Sequence, residues 1–303
     1  MELGNQASDI TKFRSKSDKI FDTINSIIML IILLIVAYPL YFIVISSVSE
    51  PDLVNAGKVL LFPKGFTLGG YQRIFSIPKI WIGYRNTILY TFVGTSISLF
   101  CTLGGGYALS RRNMPFRNFF MGMCTFTMFF SGGMIPLYLL VDSLNIIDTI
   151  WAMTLPAAVS VWNLIIARTF FQSTISSELE EAAELDGCGQ LRFFFLIAIP
   201  LTKALIAILT LYYMVSNWNS YFDGLIYLKN TSKHPLQLIL REILIMDSNP
   251  EMTMDVWDAI ERAKLAQLIK YGVIIVSSVP LICLYPFVQR FFIKGVMIGS
   301  LKG

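Results

Sequence analysis

Charge is scarce in this chain. Of 303 residues only 15% are Asp, Glu, Lys or Arg, against about a quarter in an ordinary soluble domain, while 55% are apolar and 14% aromatic. With a mean hydropathy of +0.63, this excludes a water-soluble globule, a disordered chain and a secreted disulfide scaffold. Histidine occurs once, as His234, which falls in a polar stretch and reads as a solvated loop residue. The four cysteines (Cys101, Cys124, Cys188, Cys283) lack paired spacing, and three lie inside apolar runs. Neither a disulfide framework nor a metal site is expected. The 24 basic and 20 acidic residues are too nearly balanced to suggest nucleic acid as a partner. A phosphate loop, the H-E-x-x-H zinc motif and the G-x-S-x-G nucleophile elbow are all missing, so no cofactor and no catalysis are expected in this chain.

What the chain has instead is apolar runs of membrane-spanning length. A helix needs about 20 mostly apolar residues to cross the hydrocarbon core. Six windows qualify: 24–48, 86–110, 118–141, 149–171, 201–226 and 270–292. The polar start carries Lys12, Arg14, Lys16 and Lys19, and the run behind it is too long for a signal peptide, so it reads as a retained first span. Arg111, Arg112 and Arg117 lie between spans two and three, whereas the next loop offers Asp142 and Asp148 without a basic residue. The positive-inside rule then places both termini in the cytoplasm of a multi-pass, bacterial-type cell-membrane protein. The expected layout is an all-α bundle: a cytoplasmic segment 1–23, a transmembrane domain 24–292 and a cytoplasmic tail 293–303. Within it lie external loops 50–85 and 227–269 and a cytoplasmic loop 172–200.

The spans carry breaks that a simple anchor does not need. Pro39, Pro136, Pro156, Pro280 and Pro286 lie within or near membrane depth, and Gly132-Gly133 precedes Pro136. Neighbouring helices or cavities must satisfy the backbone groups such residues free. Gly94, Ser98, Thr102 and Gly106 make a small-residue stripe on span two, suited to close packing by another helix. The span centres hold no Asp, Glu, Lys, Arg or His, and Lys203 sits where it can snorkel to the cytoplasmic interface. A proton or sodium cycle built on carboxylates is therefore hard to place, and uphill transport would draw its energy from a partner.

One loop concentrates the charge that the spans exclude. Between spans four and five lie Glu178, Glu180, Glu181, Glu184 and Asp186, with Arg192 the lone base. Ser177 with Glu180 reads as a capping box, and Gly187 suits the left-handed position after a helix. Leu179, Ala182, Ala183 and Asp186 share a face of low bulk. An apolar segment then runs to Pro200, which can open the next span as its first helical residue. By charge and capping alone this is also what a solvated amphipathic helix looks like.

The order of residues is more specific. Glu181-Ala182-Ala183, Asp186-Gly187, Phe194 and Pro200 match the E-A-A-x-x-D-G, six residues, F, five residues, P pattern of the transmembrane subunits of type I ATP-binding-cassette (ABC) importers. Seven matches, each with a background frequency of about one in ten to one in twenty, make coincidence a poor explanation. Further stretches resemble the carbohydrate-importer permeases, the smaller partner of the maltose-type pair. They are Tyr38-Pro39-Leu40, residues 62–67, Asn86-Thr87, Trp218-Asn219, Tyr285-Pro286-Phe287 and the tail 294–303. Phe130-Ser131-Gly132-Gly133-Met134-Ile135-Pro136 looks like the subfamily for oligosaccharides and polysaccharide fragments. Ala204 departs from relatives that have a second proline nearby.

The resemblance implies that the 178–187 helix is a coupling helix docked on one of two ABC ATPase subunits, where ATP and Mg would bind. It also implies a second, non-identical permease, an extracytoplasmic solute-binding protein and a sugar substrate moved by alternating access. Sugars need aromatic faces and amide or hydroxyl groups, which makes Asn163, Tyr213, Asn217, Trp218, Asn219 and Tyr221 candidates for the substrate pathway. An interfacial aromatic belt has the same composition. Two alternatives stay open: an importer of the same type for a peptide or amino acid, and a membrane sensor that regulates an ATPase.

Overall fold

The computed structural model of the chain describes residues 16–246, 269–284 and 286. Lys12 and Arg14, residues 247–268 of the expected external loop, Tyr285, Phe287, the end of the sixth apolar window and the tail 293–303 lie outside the described residues. The described residues contain no strand and form two compact units, 16–72 with 269–275 and 73–246 with 276–284 and 286.

The first unit is dominated by helix α1 (Lys16–Ser47). Ile and Leu fill it without a glycine, and it continues through Pro39 without a break. Residues 16–23, expected in the polar N-terminal segment, are helical and part of α1. Leu33, Ile35 and Leu40 are more than half exposed, as expected of a helix whose solvent is lipid. Its C-terminal end is where the unit packs. Ile45, Val54 and Val59 form a small core, with Phe42 set edge-on to Tyr271 at 6.1 Å. Tyr71 donates to Ser47 Oγ at 2.8 Å, and the short helix α2 (Pro51–Asn55) starts on a proline whose missing N–H would be unpaired there anyway. The first half of helix α3 (Gly69–Ser76), up to Gln72, also belongs to this unit.

The second unit is built around helix α4 (Pro78–Ser110), whose 33 residues give a length of about 50 Å at 1.5 Å per residue. It starts more than two turns before the apolar window, so Asn86 and Thr87 lie inside it and do not open it. Helices α8 (Val161–Thr174) and α11 (Lys203–Trp218) pack along α4. The small-residue stripe is what admits them: Ser98 and Thr102 are fully buried. A Cβ on Gly106 would fall 2.6 Å from Ala167 Cβ and 3.2 Å from the Arg168 backbone nitrogen. The stripe serves packing inside the subunit, because only a residue without a side chain lets two backbones come this close. A core of Leu103, Tyr107, Ala167, Phe171, Ile175, Phe193, Leu205 and Leu209 closes between these helices.

Three expected spans are broken. Residues 118–141 form α5 (Arg117–Phe129) and α6 (Met134–Ser143), bent by 117°. Phe130 is extended, Gly133 has φ +87°, and Pro136 has no N–H for a bond from the preceding turn. Residues 149–171 form α7 (Ile150–Thr154) and α8, separated at Pro156, with Ser160 accepting from the Asn163 N–H to cap α8. The fifth window divides into α11 and α12 (Tyr221–Tyr227). Among the described residues, α1 and α4 are each long and apolar enough to cross a membrane. The α5–α6 pair passes the same test jointly, as does α11 with the segment before it.

Helix α13 (Leu236–Met246) folds back on α4 beside Gly83, and it corrects the reading of His234. That residue is 9% exposed, with Nδ1 3.1 Å from Glu242 Oε1. Local polarity points to a solvated loop, but the packing of Leu236 against α4 draws the preceding residues in with it. Asn86 Nδ2 donates to the carbonyls of Ser232 and His234, Thr87 Oγ1 accepts from the Leu236 N–H, and Tyr90 donates to the Lys233 carbonyl. Asp148 completes the clamp, accepting from the Lys229 and Asn230 N–H groups and from Lys233 Nζ at 2.7 Å. The Lys233 ammonium and those N–H groups hold its carboxyl below the usual aspartate range.

Candidate functional site

The acidic segment forms helix α9 (Ser177–Leu185), bounded on both sides by local chemistry. Its N-cap is Ser176, one residue before the serine the capping-box spacing selects. Ser176 is extended (φ −71°, ψ 154°) and its hydroxyl accepts from the Leu179 N–H at 3.4 Å. With two serines in tandem, the one whose backbone lies outside the helix takes the role. Glu178 bonds to its own N–H and to the Ser176 hydroxyl, which holds its carboxyl below the usual range. At the other end Gly187 has φ +72°, its N–H reaches the Glu184 carbonyl at 3.0 Å, and Cys188 N–H reaches the Ala183 carbonyl at 2.8 Å. These bonds satisfy carbonyls that the helix end leaves open.

The face expected to meet a partner is divided by the fold. Ala183 turns inward and is buried in the core that contains Phe171, Ile175 and Phe193. Glu178, Glu181, Ala182 and Leu185, spaced i, i+3, i+4 and i+7, are exposed, and Leu185 is 90% exposed. Ala183 is the small apolar residue that fits against the core, so its neighbours at a quarter-turn face outward. Asp186 is exposed as well.

Polar contacts then hold the helix to the end of α4. Glu180 Oε2 lies 2.7 Å from Arg111 Nη1, both side chains largely buried at 19% and 11% exposure. Such a pair is screened far less than a surface one. Arg111 sits 4.7 Å from the centre of the Tyr107 ring, and its Nε donates to Ser110 Oγ. Glu184 Oε1 accepts from Gln190 Nε2 at 3.0 Å, and Gln190 Oε1 accepts from the Tyr107 hydroxyl at 3.3 Å. Arg168 and Gln172 of α8 donate to the Leu109 and Ser110 carbonyls, which no intrahelical N–H reaches. In the sequence Arg111 stands out only as a topology signal. Its partner is 69 residues away, and no local pattern points to it.

After Gly187 the chain forms α10 (Gln190–Leu201), which contains a π-helical turn over Phe194–Ala198. Phe194 packs on the Tyr107 ring at 4.9 Å. Pro200 does not open the next span: it lies at the end of α10, and the chain bends by 83° before α11 starts at Lys203. The helix runs up to Pro200 from before it, and at Thr202 the backbone departs from helical angles (φ −106°, ψ 27°). The buried Thr202 hydroxyl bonds the Ala198 carbonyl at 2.9 Å.

The six candidates for a substrate pathway separate into two groups. Tyr213 is buried, its hydroxyl 2.6 Å from Thr102 Oγ1 and bonded by the Ser160 N–H, one turn from the buried Asn163. Asn217 lies over Gly94, and its amide donates to the Tyr213 carbonyl. Trp218 is buried with Nε1 donating to the Ser277 carbonyl at 3.0 Å. Asn219 and Tyr221 are exposed. Asn219 accepts from Gln237, and Arg241 lies over the Tyr221 ring at 5.7 Å.

No family model matches the chain. It is 38% identical over 294 residues to protein LplC of Bacillus subtilis, covering 97% of this chain and 98% of that protein. It is also 38% identical over 286 residues to the polygalacturonan/rhamnogalacturonan transport system permease protein YtcP of the same organism, covering 94% and 99%. Among solved structures, a bacterial ABC transporter involved in the import of the acidic polysaccharide alginate aligns with a TM-score of 0.81 at 32% identity. That alignment covers 92% of this chain and 99% of the other.

Proposed function

The chain belongs to the carbohydrate-importer permeases of the ABC class, and from that membership we propose that it is one of two non-identical permeases that together enclose a path for oligosaccharides or polysaccharide fragments. Six spans with both termini in the cytoplasm give the arrangement in which α9 lies on the cytoplasmic side. Two ABC ATPase subunits bind and hydrolyse ATP with Mg, and an extracytoplasmic binding protein delivers the sugar. This chain carries no chemistry of its own. The polygalacturonan and alginate named for its relatives support polysaccharide fragments as the cargo.

The observation that carries the reading is the geometry of α9. A nine-residue helix capped at both ends is fixed to its own core by Ala183 and presents Glu178, Glu181, Ala182 and Leu185 outward. Leaving a leucine in water forgoes about 1.5–3 kcal/mol, which a partner's apolar pocket recovers. A rigid short helix passes a rigid-body movement from that partner into the bundle, where a frayed loop would absorb it. Closing of the ATPases then rocks the two permeases between inward-facing and outward-facing states. Tyr213, Asn217, Trp218, Asn219, Tyr221 and Asn163 remain our candidates for contact with sugar.

The test is reconstitution of the four-subunit complex in proteoliposomes with its binding protein, supplied in turn with oligogalacturonides, neutral oligosaccharides and peptides. ATP-dependent accumulation of oligosaccharide is expected. Peptide accumulation alone would transfer the protein to another solute class, and ligand-regulated ATP hydrolysis without accumulation would make it a sensor.

A further inference from the structure

We propose that Arg111 is a positioning residue of the coupling step, and that the Arg111–Glu180 pair is the strut through which movement of α9 reaches the long helix α4. This deepens the docking reading above and rests on it. By covalent connection alone, α9 would drive α8 on one side and α10 on the other. The polar contacts add a third route.

Ala183 is the one residue of α9 buried in the core, and a buried contact of that size leaves a helix able to pivot. Glu180 lies one turn from that pivot and its carboxylate meets Arg111 at 2.7 Å. The guanidinium is itself fixed, by the Tyr107 ring at 4.7 Å and by Ser110 Oγ at 3.1 Å. A second, weaker strut runs parallel, from Glu184 through Gln190 to the Tyr107 hydroxyl. Both end on the last turn of α4. Arg168 and Gln172 lock that turn to α8 through the Leu109 and Ser110 carbonyls. A push on α9 is therefore delivered to the end of a helix about 50 Å long, whose stripe holds Tyr213 through Thr102 and Asn217 against Gly94. Lever and polar interior belong to one packed unit.

The experiment uses the complete importer in proteoliposomes with oligogalacturonides as the probe. Arg111→Met, Glu180→Ala, the double variant and Arg111→Lys are compared for retained ATPase subunits, ATP hydrolysis and sugar moved per ATP. Each single change is expected to leave the ATPases bound and hydrolysis within about twofold, while sugar per ATP falls by about fivefold or more, the lower range of site-to-site coupling. The double variant should fall no further than either single one, as a pair acting as a unit requires, and Arg111→Lys should recover part of the loss. Glu180→Ala leaves Arg111 on Tyr107, so it reads the strut even where Arg111→Met is poorly inserted. Unchanged sugar per ATP in Glu180→Ala, or losses that add in the double variant, would overturn the strut. Glu181→Lys and Leu185→Asp probe the docking reading separately. If they keep the ATPases bound and transport coupled, that reading fails and not merely the strut.

Discussion

Replacing Gly187 isolates the conformational part of α9 from its contacts. A Cβ at this position meets no atom within 4 Å, so alanine introduces no clash. What remains is the cost of holding an L-residue at φ +72°, about 1–2 kcal/mol. Valine adds the stiffness of a β-branched side chain to the same penalty. A loss of 1–2 kcal/mol multiplies the frayed population of the α9 C-terminus by about 5–30. The Gly187 and Cys188 amides that close the helix end should then exchange with deuterium faster by that factor. Sugar moved per ATP should fall in parallel, with valine worse than alanine and asparagine better than either, because Asn tolerates the left-handed region. Gly189 is the internal control. It has φ −66° and open space around its Cα, so Gly189→Ala is expected to change neither readout. If Gly187→Val exchanged and transported like the wild type, or Gly189→Ala did equal damage, the rigidity of this cap would have no part in coupling.

Three further outcomes follow from the geometry. Gly106→Leu forces a side chain against Ala167 and the α8 backbone and should cost about 1–3 kcal/mol or more, read as a lower thermal midpoint of the detergent-solubilised complex, whereas Gly104→Leu, with no atom within 4 Å, should leave it unchanged. Asp148 is held below its ordinary range by Lys233, so its stabilisation is present above the unfolded carboxylate value of about 3.9 and is lost as pH falls through the lower folded value. Asp148→Asn should therefore lower the thermal midpoint at pH 6, and the gap to wild type should close on acidification; a gap independent of pH would count against the clamp. Asn217→Leu and Asn219→Leu should depress oligosaccharide uptake more than complex assembly, and unchanged uptake kinetics would remove both from the pathway.

The family pattern is readable because its residues sit close together in the chain and their spacing sets the helix and its end. Gly187 can be assigned a left-handed backbone from its place just past that helix, since few other residues tolerate it. The capping-box spacing selects Ser177 where Ser176 caps, because tandem serines offer the same hydroxyl and differ only in backbone angles, which composition does not encode. The stripe on α4 is legible as a packing surface, but not which helix it receives, because α8 and α11 both offer suitable faces. Pro200 is ambiguous for a related reason. A proline is best tolerated in the first turn of a helix, and only the π-helical turn over Phe194–Ala198 before it and the 83° bend after it show that this one lies at the end of α10.

By itself the sequence determined residence in the membrane, the uncharged span centres and the presence of a short acidic helix between glycine and serine boundaries. All of these are local or additive, since transfer into lipid sums over residues and caps depend on neighbours within one turn. Only the tertiary structure decided which face of that helix looks outward, that His234 is buried, that three apolar windows are broken and that Arg111 meets Glu180. These depend on how closely backbones approach one another. At Gly106 and Ala167 that separation is set by the absence of a single methyl group.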